Sequence, residues 1–450
     1  MWWQLVLVSS VSAASVELTG STFRILHVSD AHYHSAQEAC RDVAPSAYPC
    51  THENTTAFLL SVIALEQPHM IAFTGDIIDE ASGPRPRQGM DDVYRLADEL
   101  GLPWAATLGN HEDVVPGMTR DKIYAYILKL PGLALSAHGP IANSPGNFHV
   151  EIGRLGTPIA RLVFFDSRND DRFVNASTHS ITDAQARTRT PPHASTQPSP
   201  CKTPPHSTPA FLVQLDWFSE LSATLLPVPT LAFYHIPLDE YRTAISAGAP
   251  ISGSMREAAF FARTRTSTPH TRTARAQQHT HGVLCCAQIC ADKPNPRTFS
   301  VLKAGGVVGG FCGHDHTNDF CARWEGVQLC YEGSPGFGAY GACQNATCYQ
   351  RRVRVTELAL SPGGSALASI HSWKRLDGGG SVAGPMIDDE LLWAREPREP
   401  VEGDAGLSAL GTRFRAPQRK PISAFEVAGL VRKAQRTVSP ASERASFSPS

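Results

Sequence analysis

The chain has 450 residues, 42% of them hydrophobic, and its 40 basic and 42 acidic side chains leave a formal charge of −2. This length accommodates one large domain or two ordinary ones, with enough apolar residues for a buried core. Because the charges nearly cancel, overall electrostatics does not favour a polyanionic partner, and the sequence shows no basic face with interleaved aromatics that would predict nucleic-acid binding.

The N-terminus starts with an apolar run up to Val8, followed by small residues through Ala14. This pattern is typical of a short signal peptide cleaved after Ala13, although no basic residue precedes the run. A first strand or a misplaced start codon are the alternatives. No later stretch is long and apolar enough for stable membrane insertion. We therefore expect residues 1–14 to be a signal peptide and the product to be secreted or lumenal, in a vacuole or outside the cell.

The cysteine and asparagine patterns agree with that compartment. Three close cysteine pairs suit short disulfide loops: Cys40 and Cys50, Cys321 and Cys330, Cys343 and Cys348. Three glycosylation sequons begin at Asn54, Asn175 and Asn345. Each signal is weak by itself, because such triplets arise by chance and free cysteines are often only buried. Together they indicate an oxidising compartment and a glycoprotein.

The first half of the chain alternates between strand and helix patterns. We predict strands at 23–28, 70–74 and 104–108, and helices at 55–66, 90–100 and 119–129. This βαβαβ order predicts a parallel sheet that carries functional residues at the carboxyl ends of its strands.

The second half is richer in strand patterns. We predict strands at 148–152, 160–166, 231–234, 307–312, 327–331 and 352–360, and a helix at 210–221. We expect these strands to pair as a sheet of their own. Periodicity by itself predicts no more than a mixed α/β fold.

Five short polar segments each follow an apolar, strand-like run. They are Asp30-Ala31-His32, Gly75-Asp76, Gly109-Asn110-His111-Glu112, Tyr234-His235-Ile236-Pro237 and Gly313-His314-Asp315-His316. One such segment alone is more often ordinary loop or core chemistry than a metal site, but five in fixed order are hard to obtain by chance. They offer oxygen and imidazole ligands without a thiolate pair, which suits hard or borderline cations and argues against a structural zinc site.

The order D-x-H, G-D, G-N-H-E, His and G-H-x-H resembles the calcineurin-like metallophosphoesterases. Flanking segments, among them Phe73-Thr74-Gly75-Asp76 and Ser372-Trp373-Lys374-Arg375-Leu376, resemble the purple-acid-phosphatase-related subgroup of plants and fungi. The resemblance implies an αββα four-layer sandwich of two mixed β-sheets flanked by helices, spanning residues 20–393, with the metals at the shared edge of the sheets.

The resemblance also implies a site for two divalent or trivalent ions (Fe, Zn, Mn or Mg). Asp76 would bridge them. The remaining ligands would be Asp30, His32 and His316 for the first ion and Asn110, His235 and His314 for the second. A metal-bound hydroxide would attack the phosphorus directly, with inversion, and His111 would assist the leaving group as general acid or transition-state donor. Asp315 and Asp319 lie close enough in sequence to hold a ligand imidazole from behind.

The sequence departs from the purple acid phosphatases at one position. These enzymes place a metal-binding tyrosine three residues after the bridging aspartate, where this chain has Asp79. A site without this phenolate would not be purple and would not require ferric iron. Asp79 would bind metal or, as the simpler interpretation, cap the following turn.

Three segments lie outside the pattern. Residues 185–209 and 263–298 are low-complexity insertions; the second is basic and would be a phosphate-attracting flap, a surface insertion or translated intron. The tail, 394–450, is rich in proline and arginine and is expected to be disordered.

The leading functional hypothesis is a phosphatase acting on a small phosphorylated substrate, with a phosphoprotein as a further option. The alternatives are a phosphodiesterase on the same scaffold and an inactive secreted binding protein.

Overall fold

The computed structural model describes the chain in a series of ranges. They are residues 14–33, 40–42, 50–51, 53–78, 86–114, 119–130, 133–141, 145–167, 209–257, 289, 296–341, 343–344, 347–362, 364, 366–379, 381–396 and 429. The predictions for residues 1–13, Asp79, Asn175, Asn345 and residues 397–428 and 430–450 of the tail lie outside these ranges, as do nearly all of the two insertions.

Strands and helices alternate through the first part of the described chain. They are β1 (Ala14–Glu17), β2 (Thr22–Val28), α1 (Glu53–Glu66), β3 (Met70–Thr74), α2 (Pro86–Glu99), β4 (Trp104–Thr107), a short 3₁₀ helix (His111–Val114), α3 (Arg120–Ile127), β5 (Phe148–Arg154), β6 (Thr157–Phe164), α4 (Pro209–Thr224), β7 (Thr230–Phe233), α5 (Asp239–Ser246) and β8 (Ile251–Ser252).

The remainder is mainly β-structure. It comprises α6 (Pro296–Ala304), β9 (Val307–Cys312), β10 (Cys321–Trp324), β11 (Val327–Tyr331), β12 (Cys343–Gln344), β13 (Thr347–Cys348), β14 (Arg352–Leu360), β15 (Leu367–Asp377) and β16 (Ala383–Ala394).

These strands form two large mixed sheets and a small ribbon. The six-stranded sheet has the order β16-β15-β14-β2-β3-β4, in which β2, β3 and β4 run parallel as predicted. The eight-stranded sheet has the order β1-β5-β6-β7-β9-β11-β10-β8, with parallel pairing from β6 through β7 and β9 to β11. The β12 and β13 strands form the ribbon.

The expectation that the second half pairs as its own sheet is confirmed for β5, β6, β7, β9 and β11 but is wrong for β14. The β14 strand lies antiparallel to β2 and brings β15 and β16 into the N-terminal sheet, while β1 joins the other sheet beside β5. Antiparallel β14 covers the open edge of the β2–β4 unit, which would otherwise expose unpaired backbone groups. Periodicity reports which face of a strand is buried but not which strand lies beside it.

An aromatic ladder on the eight-stranded sheet forms the interface between the sheets. The rings of Phe148, Phe164, Phe233 and Phe311 stack in succession across four strands, with centroids 4.8, 4.9 and 5.3 Å apart. From β2, the buried His27 ring lies 4.6 Å from Phe311. Apolar burial of this kind is the main source of stability for the packed sheets.

Helices cover the outer faces. Tyr94 of α2 packs edge-on against Phe73 of β3 at 4.9 Å, and Tyr241 of α5 packs against Tyr331 of β11 at 5.1 Å. The fold is therefore the expected four-layer αββα sandwich of two mixed sheets. Among the described residues, no helix combines the length and apolar character needed to cross a membrane.

Several element boundaries differ from the predictions. Helix α2 begins at Pro86, four residues before the predicted start, because proline fits the first turn of a helix. Helices α4 and α6 begin at Pro209 and Pro296, so the last residues of both predicted insertions are helical. Ala14, assigned to the predicted signal segment, begins β1.

Two of the predicted disulfides are present. Cys40 is bonded to Cys50, and Cys321 on β10 is bonded to Cys330 on β11. Cys348 is disulfide-bonded and lies opposite Cys343 in the ribbon. These cross-links agree with an oxidising compartment.

A buried ionic cluster lies beneath the G-H-x-H loop. The Asp319 carboxylate accepts hydrogen bonds from Arg352, from the Lys374 ammonium at 3.0 Å and from the Ser254 backbone at 2.6 Å. The Asp319 carbonyl accepts from Arg354 at 3.0 Å. Asp319, Lys374 and Arg354 have no exposed surface, so each charge depends on its partners.

We predict that Asp319→Asn lowers the free energy of unfolding by about 3–5 kcal/mol, because buried cations would then face a neutral amide. Urea denaturation measures the change. The matched control is Glu325→Gln, which breaks an exposed ion pair with Lys303 and should cost about 1 kcal/mol or less. Equal losses in the two variants would contradict the importance of the buried cluster.

Candidate metal centre

The seven predicted ligands follow the carboxyl ends of five strands. Asp30 and His32 follow β2, Asp76 follows β3, Asn110 follows β4, His235 follows β7, and His314 and His316 follow β9. Because these strands run parallel within each sheet and the sheets face each other, all five loops meet at one shared edge. The structure brings all seven side chains together there.

Backbone hydrogen bonds hold adjacent loops in register. The Asp30 and His32 amides donate to the carbonyls of Gly75 and Asp76, both at 3.0 Å. On the opposite sheet, the Gly313 amide donates to the His235 carbonyl at 3.2 Å. The positions of the functional side chains are therefore fixed by main-chain contacts at the strand ends.

One group of four buried residues gathers around Asp76. Ligand atoms of Asp30, His32, Asp76 and His316 lie within 4.8 Å of one another. The Nε2 atoms of His32 and His316 are 3.0 Å apart, and His316 Nε2 lies 3.4 Å from Asp30 Oδ1. Two carboxylates and two imidazoles converging in a buried space form a donor set that suits a divalent or trivalent cation.

A second group shares the same aspartate. Asp76, His235 and His314 also present ligand atoms within 4.8 Å of one another, and His235 Nε2 lies 3.0 Å from Asp76 Oδ2. The Asn110 side-chain oxygen lies 3.0 Å from His235 Nε2 and 2.9 Å from His314 Nδ1. Asp76 is therefore the point where the two groups meet.

Four of these residues have a left-handed backbone. The φ angles are 53° for Asp30, 42° for His32, 50° for Asp76 and 74° for His314. Non-glycine residues pay a steric cost in this region, and such residues concentrate at functional sites where the surrounding structure holds them.

Neighbouring glycines allow the loops to approach closely. A Cβ atom at Gly109 would collide with the Asp76 carboxylate, and one at Gly313 would collide with Ser29 and Asp30. These glycines of the G-N-H and G-H-x-H motifs are required by space, because neither has the left-handed backbone that would by itself favour glycine.

The carboxylates and imidazoles shift one another's protonation. Burial raises the pKa of Asp76, but the imidazoles of His235, His111 and His32 outweigh it and hold that pKa well below its usual range. Burial raises the pKa of Asp30 to about 7. Burial and the neighbouring His235 lower the pKa of His314 to about 3, so this imidazole is neutral and able to act as a ligand.

Two of the predicted ligand imidazoles contact main-chain carbonyls through Nδ1, the ring nitrogen that points away from the site. Thr74 O lies 2.9 Å from His235 Nδ1, and Tyr340 O lies 3.4 Å from His316 Nδ1. Asp315 and Asp319, the candidates from sequence, bond elsewhere: Asp315 accepts from the Tyr331 hydroxyl at 2.6 Å, and Asp319 belongs to the buried ionic cluster. Because a carbonyl only accepts, each Nδ1 carries the proton and Nε2 faces the site.

His111 lies at the rim of the site. Its side chain is 18% exposed, its Nε2 is 3.9 Å from Asp76 Oδ2, and its ring packs edge-on against His32 at 4.6 Å. Asn110 and His314 are also partly exposed, whereas the four-residue group is buried. The site therefore opens to solvent on the side of Asn110, His111 and His314.

Glu112 is a structural residue that sequence reasoning did not identify. Its buried carboxylate accepts hydrogen bonds from the backbone amides of Asp76 (3.0 Å), Ile77 (2.9 Å) and Gly109 (2.8 Å). It thereby fastens the loop after β3 to the loop after β4. In the sequence, Glu112 is marked only by its place directly after Asn110-His111. That place does not tell whether its carboxylate binds backbone amides or changes the basicity of His111.

We predict that Glu112→Gln lowers the free energy of unfolding by about 1–3 kcal/mol, because an amide N–H would face a buried backbone donor. Urea denaturation measures the stability, and metal analysis after reconstitution is expected to show fewer ions per chain. Glu220→Gln, the same change on the exposed surface of α4, should shift stability by no more than about 0.5 kcal/mol. A Glu112→Gln protein as stable as this control would refute the bracing role.

The sequence matches a known protein family and several known proteins. The calcineurin-like phosphoesterase family matches residues 23–223. "Probable inactive purple acid phosphatase 14" of Arabidopsis thaliana is 32% identical over 403 residues, covering 84% of this chain and 85% of that protein. "Phosphatase DCR2" of Saccharomyces cerevisiae is 24% identical over 379 residues, covering 79% of this chain and 54% of that protein.

A dimetal phosphatase from Danio rerio aligns with a TM-score of 0.44 and 14% identity, covering 83% of this chain and 99% of that chain. The family assignment rests on the sequence matches. The chain belongs to the calcineurin-like phosphoesterases, hydrolases of phosphoric ester bonds, and its relatives include purple-acid-phosphatase-like proteins of Arabidopsis thaliana and a yeast phosphatase.

Proposed function

We propose that this protein is a phosphatase that hydrolyses phosphoric monoesters at a centre of two metal ions. The observation that carries the proposal is the position of Asp76, which belongs to both groups of converging side chains. A carboxylate with two oxygens is the kind of ligand that bridges a pair of ions. The groups on either side differ in composition, as expected for two unlike ions or two unlike roles.

The donor set fits such a centre. Asp30, His32 and His316 would hold one ion, Asn110, His235 and His314 the other, and Asp76 both. Asn110 supplies a neutral oxygen and therefore leaves the pair more electrophilic than a third carboxylate would. When bound, the ions supply Lewis-acid stabilisation of phosphoryl oxygens and activation of a water nucleophile.

The side chains set the direction from which the substrate approaches. Asp30, His32, Asp76 and His316 are buried, so the phosphate ester would enter from the exposed side formed by Asn110, His111 and His314. The chain then needs no serine, cysteine or aspartyl nucleophile, and the reaction would proceed in one step at phosphorus with inversion.

His111 would act on the leaving group. Its imidazole is half-buried at the rim, and its backbone amide donates to Asp76 Oδ1 at 2.8 Å, which fixes its place relative to the bridging carboxylate. From there it would donate a proton or a hydrogen bond to the departing alkoxide.

The identity of the ions is open to Fe, Zn, Mn or Mg. The chain has Asp79 at the position where purple acid phosphatases have a tyrosine ligand. The iron-loaded protein would therefore lack the visible band of a tyrosinate complex, and ferric iron would not be required.

The substrate would be a small phosphorylated molecule, with a phosphoprotein as a further option. Disulfides within the described residues support a secreted or lumenal location. The three sequons would then pass through a compartment in which asparagine glycosylation takes place.

A protein that binds metal without hydrolysis is the second candidate. The name of the Arabidopsis relative, which includes "inactive", favours it. The complete set of seven Asp, Asn and His residues around Asp76, together with His111, supports the hydrolase.

We predict metal-dependent hydrolysis of p-nitrophenyl phosphate that Asp76→Asn reduces to background, because an amide is a poor bridging ligand. Turnover and metal content are measured together on reconstituted protein. Asp216→Asn, at an exposed carboxylate on α4, is the matched control and should retain full activity.

The outcomes separate the candidates. A preference for bis-p-nitrophenyl phosphate would assign the protein to the phosphodiesterases. Absence of turnover with both esters in a protein carrying two ions per chain would contradict the hydrolase and favour the binding protein.

We predict that His111→Gln slows hydrolysis by about 100-fold or more for an alkyl phosphate, and by much less for p-nitrophenyl phosphate. A good leaving group needs less help from an acid, so the loss should grow as the leaving group becomes more basic. Steady-state kcat across a series of esters measures the trend. His371→Gln, at a 39% exposed histidine of β15, serves as control. A uniform loss across the series would exclude proton donation by His111.

A further inference from the structure

The His316 residue is contacted by Tyr340 at three points. The two rings stack with centroids 3.7 Å apart and an interplanar angle of 19°. The Tyr340 carbonyl lies 3.4 Å from His316 Nδ1, and the Tyr340 hydroxyl accepts a hydrogen bond from the His316 backbone amide at 3.4 Å. Tyr340 thus sets the plane of the His316 ring, its tautomer and the position of its backbone.

Tyr340 is itself fixed at both ends. Its hydroxyl donates to the buried Glu257 carboxylate. Its carbonyl accepts from the Arg351 guanidinium at 3.1 Å, and Arg351 is buried and also binds the carbonyls of Ala339 (2.9 Å) and Arg41 (2.7 Å). Because Tyr340 is fixed in this way, its ring restrains the His316 ring on which it stacks.

Glu257 also binds Thr317, the residue that follows His316. Its Oε2 accepts from the Thr317 hydroxyl at 2.6 Å and from the Thr317 amide at 3.2 Å. Glu257 follows β8, and its own backbone amide donates to Asn318 at 3.3 Å. The loop after β9 is therefore clamped by a segment distant in sequence and unrelated to the five motifs.

We propose that Tyr340 is a positioning residue that, together with Glu257, fixes the His316 imidazole for metal binding. The inference rests on the proposed dinuclear centre and adds to it a residue outside the motifs. Since the Tyr340 carbonyl requires a proton on Nδ1, the lone pair of His316 is at Nε2, which lies 3.0 Å from His32 Nε2 in the four-residue group. Stacking then prevents the ring from turning away.

Two substitutions distinguish the contribution of the Tyr340 ring from that of its hydroxyl. Tyr340→Leu removes the ring face and the hydroxyl but leaves the backbone carbonyl. Tyr340→Phe keeps the ring face and removes only the hydroxyl bonds to Glu257 and the His316 amide. The stacking role predicts a large effect for leucine and a small one for phenylalanine.

The experiment is a titration of metal-free protein with Co²⁺, followed by its visible spectrum and by competition with a chromophoric chelator. In Tyr340→Leu we expect one of the two Co²⁺ ions to bind about 10- to 100-fold more weakly, with a changed ligand-field band, while the other binds as in wild type. The Tyr340→Phe protein should show the same change in the same ion, at smaller amplitude. We expect kcat to fall more than KM rises, because the ester still enters from the side of Asn110.

Tyr126→Phe is the matched control, because the Tyr126 hydroxyl also donates to a carboxylate, that of Asp91, but lies on α3 away from His316. It should leave Co²⁺ affinity and spectrum unchanged. Wild-type affinity and spectrum in Tyr340→Leu would overturn the inference while leaving the proposed function in place. If Tyr340→Leu does not fold, unchanged Co²⁺ affinity and spectrum in Tyr340→Met, which also removes the ring face, would overturn it. Failure of the wild type to bind two ions would overturn both.

Discussion

The Asp76 carboxylate occupies the place where two sheets, two groups of imidazoles and two loops meet. Its Oδ1 accepts from the His111 amide at 2.8 Å, its Oδ2 lies 3.0 Å from His235 Nε2, and its own amide donates to Glu112. The left-handed backbone at this residue is tolerated because these contacts hold it from several sides. Asp76 belongs both to the group with Asp30, His32 and His316 and to the group with His235 and His314, and it therefore joins the two groups.

Collecting these groups in one buried space is costly in the absence of a cation. Burial raises the pKa of Asp30 to about 7, and burial together with the neighbouring His235 lowers the pKa of His314 to about 3, so both groups resist carrying a charge in this space. The rest of the fold offsets this cost by apolar burial, of which the aromatic ladder between the sheets is one part. These features fit a site that is preorganised for a cation, because rigid strands fix the position of each Asp, Asn and His donor.

The sequence predicted the chemistry at the strand ends better than the arrangement of the strands. The Asp, Asn and His residues that follow apolar runs could be found because β-strands expose their last residues in a recognisable pattern. The pairing of β14 with β2 could not be found, because neighbouring strands leave no periodic trace of each other. The supporting roles of Glu112 and Tyr340 could not be predicted either. Glu112 binds backbone amides and Tyr340 stacks on a ring, and neither kind of contact leaves a sequence motif. Asp315 and Asp319 seemed suitable by proximity in sequence, yet main-chain carbonyls hold the ring nitrogens.

The central claim is that two ions share Asp76, and anomalous diffraction from crystals of the metal-loaded protein tests it directly. We predict two anomalous peaks, roughly 3.5–4 Å apart, one on each side of the Asp76 carboxylate. The peak on one side should lie among Asp30, His32 and His316, and the other among Asn110, His235 and His314. A single peak, or two peaks that do not share Asp76, would contradict the account.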